Sequence, residues 1–178
     1  DALYHGGFVV SVTDMTPLLT RIEEVLCDGA GIERTIAAPN RFQRGAYPDQ
    51  IASSSGTAAM VRKGMFASVS AATPLRQPEM HDVLMYDLTV RVEFFYHIVD
   101  PEVHATFRNT LGAIATDVHR ARGALCYPGN LLQTAAADAT GLSGAGLQFR
   151  SWSMRDPDTT ARLVRASMEL IGRINMTA

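Results

Sequence analysis

From Leu84 to Ile98 every second residue is apolar or aromatic: Leu84, Tyr86, Leu88, Val90, Val92, Phe94, Tyr96 and Ile98. Side chains alternate between the two faces of a β-strand, so a period of two sustained over this length describes one ribbon with one buried face. Met85, Asp87, Thr89, Arg91, Glu93, Phe95 and His97 stand between them and make a second face, polar in the middle and apolar toward its ends. At about 3.3 Å per residue such a strand extends about 50 Å, against roughly 40 Å across a compact domain of this length. The ribbon must bend at a bulge or project. A projecting end would expose unpaired backbone groups together with Phe95, Tyr96 and His97, which makes these three the candidate subunit-interface residues.

The other elements follow from local signals. Thr16 as cap, Pro17 at the first helical position and the stripe Leu18, Leu19, Ile22, Val25 and Leu26 predict a helix from Pro17 to Asp28, with Arg21, Glu23 and Glu24 on its solvated side. Residues 38–55 hold two prolines and many small polar residues and read as a loop. Gly64 to Ala72 alternates as a strand that stops near Pro74. Asp100 and Pro101 open a second helix, in which Val103, Phe107, Leu111, Ile114 and Val118 keep helical spacing to about Arg122. Gly123 to Gly146, with five glycines and the tract TAAADATGLSGAG, predicts a long loop. Leu147 to Met154 reads as a strand, and DPDT at 156–159 as the turn of a hairpin. Val164 to Met176 fits a period of two better than a helix and is taken as the last strand. The expectation is a single α+β domain over residues 1–178, in the order αββαββ. Its sheet would be four-stranded and mainly antiparallel, with the helices packed on one face and long loops near 38–55 and 123–146.

Of the 178 residues 47% are hydrophobic, enough for one core without disulfides or metal, and the formal charge is -2 with both signs scattered. No basic block recommends nucleic acid, and Asp87, Arg91, Glu93, Arg165, Glu169 and Arg173 on the outward strand faces argue against a basic, stacking surface. Lys63 is the sole lysine. Cys27 and Cys126 lack partners at metal-ligand spacing and are expected to be reduced. No apolar run approaches the roughly 20 residues of a membrane span, and DALYHGGFVV lacks the features of a signal peptide. His5, His81 and His97 form no set, and His104 and His119 on the second helix lie about 22 Å apart along its axis, too far to share a metal. GLSGAG at 141–146 has Ala145 where a nucleophile elbow needs glycine. Neither a catalytic residue, a cofactor nor a metal is expected, and the chain reads as a subunit of an assembly rather than an enzyme.

The helix around PLLTRIEEVL, the strand DLTVRVEFFYHI, the helix DPEVHATFRNTLGAIATDVHRA and the closing strand pair together resemble the tail terminator proteins of long-tailed bacteriophages, over most of the chain from Thr16 onward. The resemblance implies a homo-oligomeric, commonly hexameric, ring at the head-proximal end of the tail tube. Such a ring stops tube polymerisation and receives the head-completion or connector protein, so the protein would be a virion component assembled in the host cytoplasm. The loop from Pro39 to Ser55 and the glycine-rich excursion depart from that family and leave open a related neck or head-closure role. The family supplies no functional residue to carry over. The rival reading is a small-ligand-binding or catalytic domain with its pocket under the 123–146 loop.

Overall fold

The computed structural model describes residues 13–28, 42–44, 63–75, 83–98, 104–126, 140–158, 160 and 162–177. Helix α1 spans Thr16–Glu23 and runs on as a π-helical turn over Glu24–Asp28. The strands are β1 (Gln43–Arg44), β2 (Lys63–Leu75), β3 (Val83–His97), β4 (Leu142–Met154) and β5 (Leu163–Thr177), and α2 (His104–Cys126) lies between β3 and β4.

The long alternation folds as expected. On β3 the even-numbered residues from Leu88 to Ile98 are buried, and the odd ones from Met85 to Glu93 are half-buried on the opposite face. β3 pairs antiparallel with β5 over fifteen successive rows, from Val83↔Thr177 to His97↔Leu163. This register puts Val164, Ala166, Met168, Leu170 and Ile174 on the same face, where all five are buried. The segment from Val164 is therefore a strand, because only an extended conformation can put five such residues in line with those of β3.

Among the described residues the sheet has five strands rather than four, in the order β1-β2-β3-β5-β4. The addition is β1, whose two residues pair parallel with Gly64 and Met65 inside the stretch read as a loop. Phe42, just before it, belongs to the core: its N–H donates to the Leu26 carbonyl (3.1 Å) and its ring lies 4.9 Å from that of Phe94. A two-residue strand has no period to detect, which is why the sequence hides it.

Both helices cover one face. Leu18, Ile22, Val25 and Leu26 from α1 and its π turn, and Ile114, Val118, Ala121 and Leu125 from α2, form one cluster with the even-numbered residues of β3 and β5. Each fully buried side chain of this kind contributes about 1.5–3 kcal/mol. Local details differ from the reading above. The Thr16 N–H donates to Asp14 Oδ1 (2.7 Å), so the oxygen near the helix start comes from Asp14. Arg21, placed on the solvated side, is 9% exposed and donates to Glu24 (2.9 Å). β2 continues through Pro74 to Leu75, at the rim of the sheet where proline is tolerated.

The glycine-rich excursion is also shorter than expected. α2 extends to Cys126 and β4 begins at Leu142, leaving 127–139 outside the described residues. GLSGAG is a bulged strand start: Ser143 pairs with Arg173 and Gln148 with Ile171, so β4 places three extra residues against β5. Gly146 holds a left-handed backbone (φ 70) that favours glycine. The bulge tucks Leu147, fully buried, against Gly172, where an added Cβ would lie 3.0 Å from Leu147 Cδ2 and 3.3 Å from the Gly146 carbonyl oxygen. Substituting Gly172→Val is expected to lower stability by about 1–3 kcal/mol in urea titrations. The loss from combining it with Leu147→Ala should be smaller than the sum of the two single losses.

Candidate assembly surface

The three interface residues read from the sequence lie at the covered end of the ribbon. Tyr96 is fully buried, its ring edge-on to Phe42 at 6.3 Å and its hydroxyl 3.5 Å from Asp117 Oδ2. Burial, reinforced by the Asp117 carboxylate, holds that hydroxyl protonated. Phe95 is 5% exposed on the helix-free face, in a small cluster with Leu163 and with the Arg165 guanidinium 5.7 Å from its ring centre. His97 is half-buried. Phe95 and Tyr96 thus present almost no area to a second subunit as the chain stands. The bare end is the opposite one: Ser70 to Pro74 on β2 are all exposed, and so is Leu84 on β3.

What covers the first end is a buried charge cluster that sequence reading passed over. Lys63 Nζ donates to Asp117 Oδ2 at 2.7 Å, and the two residues are only 7% and 4% exposed. Arg120 donates to the other Asp117 oxygen (3.1 Å), and Lys63 Nζ stands 4.8 Å from the centre of the Phe42 ring. The cluster ties the start of β2 to α2 across 54 residues of chain. Every charge in it is paired, so it serves as a clamp and not as a reactive group. The signal was available, since the sole lysine opens an apolar strand, but its partner becomes visible only in three dimensions.

The helix-free face of the sheet is ruled by ion pairs between its two central long strands. Arg91 donates to Glu169 (2.9 Å) and Arg173 to Asp87 (2.8 Å). The Arg91 hydrogen bond is the main influence holding the half-buried Glu169 carboxyl below its ordinary range. Near one end this face is concave, enclosing about 580 Å³ and lined by Ala71, Thr73, Met85, Asp87, Ile171 and Arg173 among others. Asp87 and Arg173 are the charged residues of that lining, and they satisfy each other. Among the described residues, no group of three His, Cys, Asp or Glu could hold a metal ion.

Both thiols are blunted. Burial pushes Cys27 and Cys126 up to about 12, with Arg44 and Arg122 respectively pulling the other way. Raised values keep both neutral across the physiological range and slow their reaction with electrophiles.

No protein-family model matches the chain, and no curated protein matches it. Thirteen chains of solved structures do. One of them belongs to the "Virion of native gene transfer agent (GTA) particle": it is 16% identical, with a TM-score of 0.30, and the match covers 74% of this chain and 86% of that one. A superposition this loose assigns no residue of the surface.

Replacing Lys63 by Met removes the buried partner of Asp117 and leaves that carboxylate to Arg120 and the Tyr96 hydroxyl, and should cost up to about 3–5 kcal/mol in denaturant unfolding; the double variant Lys63→Met/Asp117→Leu should recover most of that loss. Maleimide labelling at pH 8 should be slow at both cysteines in the folded chain and become fast in denaturant, as followed by mass spectrometry.

Proposed function

We propose that this chain is a structural subunit of a phage-type virion, a tail terminator that closes the tail tube as a homo-oligomeric ring and receives the head-side connector. One observation carries the reading. A sheet of long strands has helices on one face only, while its other face and its bare hairpin end, among the described residues, carry mutually satisfied ion pairs and exposed apolar side chains rather than chemistry. Phe66 and Ile171 on the helix-free face and Leu84 at the bare end are about 40% exposed, and so are Trp152 and Met154 on the helix-side rows of edge strand β4, a costly distribution for a lone molecule and a useful one for a subunit.

The order of the long elements supports the same reading: helix, hairpin β2–β3, helix, hairpin β4–β5 is the order that the likeness to tail terminators implies. The hexameric state, the partnership with a tail-tube protein and a head-completion protein, and residence in the virion come with that likeness. So does the choice of terminator over neck or head-closure protein. The absence of an enzymatic role belongs to the proposal as well; the hollow described on the helix-free face holds an Asp–Arg pair closed on itself.

Gel filtration coupled to light scattering, followed by negative-stain imaging, is the test. The purified chain should form rings, and adding tail-tube protein should place those rings at tube ends and shorten the tubes. A monomer that ignores tube protein overturns the proposal.

A further inference from the structure

We infer that the ring is built by sheet continuation: the free edge of β4 in one copy pairs antiparallel with the free edge of β2 in the next. This rests on the assembly reading above and names the surface that performs it.

Three observations lead to it. The first is that both edges are open. Among the described residues, β1 covers β2 only at Gly64 and Met65, the outer edge of β2 from Phe66 to Leu75 has no strand partner, and β4 pairs with β5 alone. The second is that neither edge is guarded by charge. Monomeric sheet proteins protect edge strands with charge, lysine above all. Here the stretch from Gly64 to Leu75 carries no charge, and β4 carries only Arg150 across thirteen residues. The exposed apolar side chains Phe66, Trp152 and Met154 stand on these same two strands.

The third observation is geometric and selects the partner. β2 is antiparallel to β3, β3 to β5 and β5 to β4, so β2 and β4 run in opposite directions. Rotation about an axis along the strands preserves direction, and it therefore brings β4 of one copy against β2 of the next in an antiparallel sense. The edges are also level. Register carries Met154 through Ala166 and Phe94 to Met65 at one end, and Leu142 through Ile174 and Tyr86 to Pro74 at the other. On the helix-free face the rows end without charge at both edges: Ser68, Arg91, Glu169 and Ser151 form one row, and Ala71, Thr89, Ile171 and Gln148 another. Apart from Arg150 in a bulge of β4, the charges of these rows lie on the two central strands, so two copies can approach without like charges meeting.

A second copy of this chain is thus the occupant of both edges. Pairing β4 with β4, or β2 with β2, across a two-fold axis would satisfy one edge and leave the other bare, whereas the head-to-tail arrangement satisfies both in every copy once the rotation between neighbours closes the ring.

Two variants distinguish these arrangements. Ala72→Lys charges the exposed part of the β2 edge, and Trp152→Lys charges the β4 edge. Wild type, each variant and their equimolar mixture are compared by light scattering at one concentration. Expected are an oligomeric wild type, two monomeric variants, and a mixture that doubles the monomer mass, because the intact β4 of A72K meets the intact β2 of W152K. Formation of that heterodimer also shows that both variants fold. A dimer formed by either variant alone, a variant that assembles as wild type does, or a mixture that stays monomeric overturns the edge pairing while an oligomeric wild type leaves the assembly reading standing. A monomeric wild type overturns both.

Discussion

The unbroken pairing of β3 with β5 is the constraint from which the rest of the structure follows. Fifteen rows without a bulge align two period-two sequences so that both apolar sets face the same way. A one-residue slip would turn one set to water, so burial itself fixes the register. With that face set, both helices of the described residues lie over it, α1 with its π turn and α2. The second face is left to side chains that tolerate water, and it resolves into the pairs Arg91–Glu169 and Asp87–Arg173. Exposed pairs of this kind add little to stability, but they fix which long side chains lie beside which.

The Lys63–Asp117 pair decides which end of the ribbon is covered. Burying two charges costs more than an apolar contact of the same size unless each is fully bonded, and here Arg120, the Tyr96 hydroxyl and the Phe42 ring complete the arrangement. Such a cluster tolerates few alternative packings. It holds the β2 start and α2 in one relation, and with Phe42 and β1 it closes the sheet–helix layer at the Tyr96 end. β2 reaches the other end as exposed strand, which is why the ribbon's bare end is at Leu84 and not at Phe95.

Much of this was legible from residue order alone. Periodicity located β3, β5 and the cores of both helices, and it identified the polar outer face with its charges, because each is a repeated local pattern that burial enforces. Three things were not legible. β1 and Phe42 are held by contacts remote in sequence, with Leu26, Gly64 and Phe94, and two residues make no pattern. The first residues of β4 carry glycine because a bulge with left-handed backbone requires it at Gly146, and glycine in a string of small residues reads as a loop. The exposure of Phe95 and Tyr96 was inferred from strand length, a quantity that says a ribbon outruns its cover but not at which end. The candidate surface therefore moved from one tip of β3 to the flanks of the sheet.

An open edge can be managed by forbidding all partners or by selecting one. Charge forbids, and these edges have almost none. Bulges select, because they kink and twist a strand so that only a partner of matching shape can follow it. β2 shifts register between Val69 and Ala71, and β4 does so between Ser143 and Gln148 and again between Phe149 and Ser151. Flat, uncharged edges of this length would stack into fibres, whereas edges bent at fixed positions resist indiscriminate pairing and still leave their donors and acceptors available. A sheet whose edges are uncharged yet irregular is shaped for one specific neighbour. With outer rows that end level and edge strands that oppose in direction, the proposed neighbour, another copy of the chain, would meet those conditions together.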